Sequence, residues 1–194
     1  MKACIPQPRI AAALLAVAWL IGAIPVAARA ENPMVNEQQV KAVFLFNFVQ
    51  FVEWPESAFA SSNAPICIGV LGDESFGKLL DEVVKDETIR GRKLMVKPLK
   101  KGDDVKCAHA IFVSKSARAQ ASDILADCEG KPVLTVGEAG GFARHGGVIN
   151  FVLQNNKVKF EINPDAAKQK GLKISAQVLG IGKIVGPETS KENP

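Results

Sequence analysis

The chain carries only two histidines, His109 and His145, and four cysteines, Cys4, Cys67, Cys107 and Cys128. Histidine is the usual acid or base near neutral pH, so these two are the first places to look for catalysis. Neither sits in a recognisable constellation. Ser75, Ser114 and Ser116 lack the GxSxG context of a nucleophile elbow, and no paired carboxylates stand out. Cys107 and His109, two positions apart, would share one face of a strand, which permits a metal reading. Zinc needs three or four ligands, however, and no second pair exists in the sequence. The residue pattern therefore asks for neither an enzyme nor a metal or other cofactor.

Two segments could still gather a ligand. The stretch GEAGGFARHGG, Gly137 to Gly147, is a glycine-rich connection whose backbone N–H groups could cradle an anion, with Arg144 and His145 at its tip. It lacks GxxxxGK[ST] and precedes an expected strand instead of opening a helix, so it matches no phosphate fingerprint. The competing reading is a plain turn whose glycines take positive φ. The second segment is GDESFG, where Asp73 follows a buried strand, at the carboxyl edge where open α/β sheets bind ligands. Ordinary helix capping is the simpler role for Asp73.

The elements that must position these residues follow from local signals. Asn36 is expected to cap a helix from Glu37 to Trp54, which Pro55 ends. Ile66 to Leu71 reads as a buried strand, and Asp73 then opens a helix in which Phe76, Leu79, Leu80 and Val83 recur at helical spacing. Lys93 to Leu99 is a strand at an edge or an end, because of Pro98. Ala108–Val113 is a second buried strand, Ala117–Ala126 a helix, and Pro132–Val136 a third strand. VINFVL and VKFEIN form a hairpin, and Asn163-Pro164 is a cap followed by an N1 proline. Gly171 closes that helix. The order predicts a single α/β domain with a mixed sheet flanked by helices, parallel pairing early and an antiparallel hairpin late.

The first helix has an unusual load. Phe44, Phe46, Phe48, Phe51 and Trp54 fall within it, although the whole chain has 10 Phe and 2 Trp. Phe44, Phe48 and Phe51 share a face with Val40 and Val52, as a core stripe would. Phe46 and Val49 point elsewhere, making the helix apolar nearly all round, so it is either buried on two sides or meets another chain. Trp54 is the kind of residue that anchors interfaces. Phe46 and Trp54 are thus candidate dimer or partner contacts.

The first thirty residues place Lys2 and Arg9 before an apolar run and end Ala28-Arg29-Ala30, the pattern of a secretory signal peptide cleaved after Ala30. Removing Lys2, Arg9 and Arg29 from 24 basic residues leaves 21 against 20 acidic ones. That balance offers no basic footprint for nucleic acid. The expected organisation is a signal peptide at 1–30, a domain at 31–186 and a loose tail at 187–194. An exported domain folds where disulfides persist, and the three cysteines beyond the signal allow one bridge. Neighbouring strands could bring Cys67 and Cys107 together, while Cys128 lies in a polar helix exit. Spacing alone does not fix the pairing.

The segments KAVFLFNFVQFVEWP, ICIGVLGDESFG, CAHAIFVS, PVLTVGEAGGFARHGGVINF and VKFEINPDAAKQKGLKIS, in that order, resemble the YfiR family of periplasmic proteins. The resemblance spans about 37–182. It implies a mixed α/β domain in the periplasm, commonly a homodimer, without catalysis. It also implies binding to the periplasmic part of an inner-membrane diguanylate cyclase, which is held inactive so that cyclic di-GMP and biofilm formation stay low. An outer-membrane lipoprotein relieves that repression, and other relatives serve sensor kinases and receptors. Cys67 and Cys107 match a family disulfide, whereas GFARHGGVINF lacks the cysteines of a second one. The segment Phe160 to Asn163 resembles a partner-contact region, which adds Glu161 to the candidate contacts. The alternative class is a small-ligand module around Asp73, Arg144 and His145 that feeds a sensor kinase or receptor.

Overall fold

The computed structural model describes residues 33–187, so the expected signal peptide and most of the expected tail lie outside the described residues. Helix α1 (Pro33–Phe51) runs into a two-residue strand β1 (Val52–Glu53). The helix thus begins before Asn36, which lies within it and is not its cap. It also ends before Trp54, because Val52 pairs with Ile174 and the Phe51 carbonyl accepts from Ser175 N at 3.0 Å. Tertiary pairing, three residues ahead of Pro55, sets the helix end.

Beyond β1 come β2 (Ile66–Leu71), α2 (Glu74–Val84), β3 (Thr88–Ile89), β4 (Arg92–Leu99) and β5 (Ala110–Val113). There follow α3 (Ala121–Asp127), β6 (Leu134–Gly137), β7 (Ile149–Gln154) and β8 (Lys157–Ile162). The chain closes with α4 (Pro164–Gln169), β9 (Lys173–Ile174), α5 (Ala176–Ile181) and β10 (Lys183–Ile184). Eight strands form one mixed sheet in the order β10-β8-β7-β6-β5-β2-β4-β3, while β1 and β9 make a separate antiparallel pair. Strands β4, β2, β5, β6 and β7 run parallel, and the β7–β8 hairpin is antiparallel. The expected mixed α/β architecture is therefore present.

Local chemistry explains most boundaries. Asp73 Oδ1 accepts from Phe76 N at 2.9 Å, and Asn163 Oδ1 accepts from Ala166 N at 2.9 Å, so both expected caps are formed. Asn155 and Asn156, with φ of 51° and 57°, supply the two left-handed residues that a tight hairpin turn needs. That turn is two residues long, shorter than the four expected, and the strands extend accordingly. Pro98 is tolerated because β3 pairs only with Arg92 and Lys93, leaving the far half of β4 with no partner on that side. Strand β5 begins at Ala110, after a 3-10 turn at Val105–Cys107, and the expected helix at Ala117 starts as a 3-10 turn at Lys115–Gln120.

The sheet is covered on both faces. One cluster joins Leu45, Phe48 and Val49 of α1 to Phe76 and Leu80 of α2 and to Ile68, Phe112, Phe151 and Ile162 of the sheet. The other joins Ile111 and Val113 of β5 to Ile124 of α3, Cys128 and Phe142 of the glycine-rich connection. Strands β5 and β6 are buried along their whole length, as central parallel strands are.

Candidate functional site

The strand order reverses between β2 and β5, and such switch points are where open α/β sheets bind ligands. Here the crevice is filled by the chain itself. Ser114 N donates to Leu71 O at 3.0 Å, Ser116 Oγ donates to Gly72 O, and the two serine hydroxyls meet at 2.8 Å. Gly72, at φ +86°, is pressed so close that a Cβ would lie 2.5 Å from Ala117 Cβ. Asp73 next to it is committed to capping α2 and also accepts from Ser75 Oγ at 2.7 Å.

The glycine-rich connection is a compact loop around the buried ring of Phe142. Gly137 and Gly147 flank that ring so closely that Cβ atoms would lie 2.5 and 2.3 Å from it. Arg144 meets Glu161 at 3.8 Å, and Lys183 reaches the same carboxylate at 3.6 Å. Two residues singled out for different reasons, Arg144 and Glu161, are thus brought together. His145 lines a cleft between α3 and the end of α4, together with Ser122, Glu129 and Lys170. Asp73 is not part of that cleft, so the three candidate ligand residues do not form one site.

His109 is held by both ring nitrogens and by its ring face. Its Nδ1 accepts from Cys67 N at 3.1 Å, and its Nε2 lies 3.2 Å from Ala58 O, which fixes the neutral tautomer with the proton on Nε2. The ring stacks on Phe59 at 4.6 Å, and the Arg92 guanidinium covers Phe59 at 3.8 Å. Burial pushes the His109 pKa down, against the Ala58 hydrogen bond, and the Arg92 charge pushes it the same way as burial. Trp54 Nε1 donates to the His109 carbonyl at 3.0 Å, so the indole N–H has its partner within the chain. Phe46 and Trp54 are both half-buried and pack against the main core cluster.

Cys67, Cys107 and Cys128 are all free thiols in this structure, which shows the expected Cys67–Cys107 pair unbridged. The two are close enough for Cys107 to add to the rise that burial imposes on the Cys67 pKa. Cys107 ends a 3-10 turn, and His109 precedes β5, so the pair does not share a strand face as the spacing suggested. Among the described residues no three His, Cys, Asp or Glu side chains are grouped to hold a metal. Cys128 is fully buried in the second core cluster, not exposed at a polar helix exit, and burial pushes its thiol up to about 11.

Several polar residues escaped the sequence reading. Lys41 on α1 lies 2.5 Å from both Glu37 and Glu138, tying the helix to the start of the glycine-rich loop. Burial would lower its pKa, but the two carboxylates outweigh that and hold it raised. A Glu37–Lys41 spacing of four was legible as a helix pair, whereas Glu138 comes from 97 residues away. Three of the exposed apolar side chains that the sequence does not mark are Val43 on α1, Ile181 on α5 and Ile184 on β10, in addition to Met95 on β4 and Val152 and Leu153 on β7. The first three lie on adjoining elements, since α1 touches α5 and β8, and β10 pairs with β8.

A family model described as YfiR/HmsC-like matches residues 38–183, most of the chain and nearly all of the described fold. The chain belongs to the YfiR/HmsC-like family. A search of curated proteins finds no match. YfiR/HmsC-like membership points to a periplasmic, generally non-catalytic regulator connected with cyclic di-GMP signalling and with a membrane signalling protein. Of the exposed large apolar residues, Val43, Ile181 and Ile184 lie on α1, α5 and the edge strand β10, while Met95 lies on β4 and Val152 and Leu153 on β7. Among the described residues no helix is long and apolar enough to cross a membrane.

Proposed function

We propose that this YfiR/HmsC-like protein is exported by its signal peptide and represses an inner-membrane diguanylate cyclase by binding that enzyme's periplasmic domain. The observation that carries this reading is the exposure of Val43, Ile181 and Ile184, at 48, 66 and 52%, on the adjoining elements α1, α5 and the edge strand β10. Solvent-facing isoleucines on a short edge strand and its preceding helix are a liability unless covered. A partner that buries them recovers on the order of 25 cal/mol per Å² of apolar surface. Phe46 on α1 and Glu161 on β8 form the rim of the proposed contact, which a homodimer could use in the absence of the cyclase, while Trp54, bonded to the His109 carbonyl, is left outside it.

In the oxidising periplasm, Cys67 and Cys107 are proposed to form a disulfide next to the His109 cage. Chain adjacency supports this, because Cys67 pairs by backbone with His109, two residues beyond Cys107. The test of the functional reading mixes the mature protein with the periplasmic domain of the adjacent membrane signalling protein, at micromolar concentration, in oxidising and reducing buffers. A complex by light scattering, weakened by Ile181→Asp and Ile184→Asp without change in circular dichroism, is the expected outcome. No complex in either buffer rejects the reading. An outer-membrane lipoprotein that relieves the repression should compete for the same edge.

A further inference from the structure

The cleft between α3 and the end of the glycine-rich loop holds a charge that the fold leaves half-satisfied. Lys170, at the carboxyl end of α4, is only 8% exposed. Its Nζ donates to the Cys128 carbonyl at 2.8 Å, and it makes no ion pair among the described residues. An ammonium has three N–H donors, so a carbonyl alone leaves it short of both hydrogen bonds and opposite charge. The Cys128 thiol and then the Glu129 carboxylate act on Lys170, and Glu129 is exposed and makes no ion pair with it. Burial accordingly lowers the Lys170 pKa, a cost that an anion beside it would reverse.

This lysine is not sealed away. It lines a cleft of about 650 Å³ together with Ser122, Leu125, Glu129, Gly146 and Gln169. That volume lies within the roughly 300–1,000 Å³ of small-molecule sites. Gly130 and Gly146, at φ +66° and +100°, have no atom near where a Cβ would stand, so backbone alone forms that part of the rim. Leu125 supplies an apolar wall and Ser122 a hydroxyl. A buried lysine, a hydroxyl and bare backbone around one cleft are the components of a site for an oxyanion.

We propose that this cleft binds a small organic or inorganic oxyanion, a carboxylate or a phosphate, with Lys170 as the charge that recognises it. The cleft is lined by none of Val43, Ile181 and Ile184, so it is a different site from the proposed partner contact. The glycine-rich loop forms one wall, which gives its run of glycines a second use besides wrapping Phe142.

The test follows backbone amide shifts of the mature protein by NMR during titration with inorganic phosphate and, separately, with succinate, at constant ionic strength against chloride. Saturable shifts confined to Ser122, Gly130, Gly146 and Lys170 are expected. Lys170→Met should weaken the binding by about tenfold or more, the loss of one charge-assisted contact. Ser122→Glu, on an exposed position, should abolish it by placing a carboxylate in the cleft, and it keeps the question open to test if Lys170→Met misfolds. Phosphate alone producing shifts would assign a phosphate site, and succinate alone a carboxylate site. Shifts that fail to saturate with either anion, or that survive Ser122→Glu unchanged, would overturn the proposal.

Discussion

His109 and Lys170 are two basic side chains buried to the same degree, each 8% exposed, yet the fold treats them oppositely. His109 has a partner for each ring nitrogen and an aromatic on its face, so it can be buried neutral. Lys170 has one carbonyl and an open cleft. A buried base with every partner inside the chain is a structural pin. One that lacks an opposite charge and borders open space is a place where something else can bind. In this chain the residue type most associated with catalysis, histidine, fills the first role, and an unremarked lysine fills the second.

The largest expected effect comes from breaking the pin. His109→Ala removes the acceptor for Cys67 N, the donor to Ala58 O and the stack on Phe59, and should cost about 3 kcal/mol in urea unfolding. Lys170→Met should stay within about 1 kcal/mol of the parent, because an apolar replacement of a poorly paired buried charge is often neutral or stabilising. Equal losses for the two would erase the distinction drawn between them.

The same pin has a pH signature. The folded pKa of His109 lies below its ordinary 6.5, so the unfolded chain binds more protons as pH falls. The contribution of neutral His109 is complete above about 6.5 and is lost as pH falls from there through the lowered folded value. Urea midpoints measured from pH 8 to 5 should decline, and His109→Asn should flatten that part of the decline. For Lys170 the sign is the same, but the window begins at 10.5 and runs down to its lowered pKa.

Next in size is Cys128, whose carbonyl holds Lys170 and whose thiol is fully buried among apolar side chains. Cys128→Ser buries a hydroxyl there and should cost about 1–3 kcal/mol. Its thiol, with a pKa near 11, should resist maleimide until the protein unfolds, while exposed Cys107 reacts in the reduced native state. Trp54→Phe deletes one hydrogen bond to the His109 carbonyl and should cost about 1 kcal/mol. Smallest is His145→Ala, an exposed change expected to fall within about 0.5 kcal/mol.

What could be read from the sequence follows distance along the chain. The Asp73 and Asn163 caps, the buried strands and the hairpin all depend on neighbours a few residues apart, and all are present. The end of α1 was misplaced because the β1–β9 pairing that sets it joins residues over a hundred positions apart. The residue type of His109 suggests an acid or base, but the partners that hold it, Cys67 and Ala58, lie 42 and 51 residues away. Lys170 gave no signal at all, since a lysine after a short amphipathic helix usually faces water. The cleft beside it exists only once α3, the loop and α4 are packed.

Val43, Ile181 and Ile184, and neither the His109 cage nor the Asp73 turn, are proposed to meet the membrane partner. Hydrogen exchange of the mature protein with and without the partner's periplasmic domain tests that contact most directly. New protection is expected in peptides covering α1, α5 and β10, with the segments around His109 and Asp73 unchanged. Protection centred on the Asp73 turn or the His109 cage, with none at α5 and β10, would contradict it.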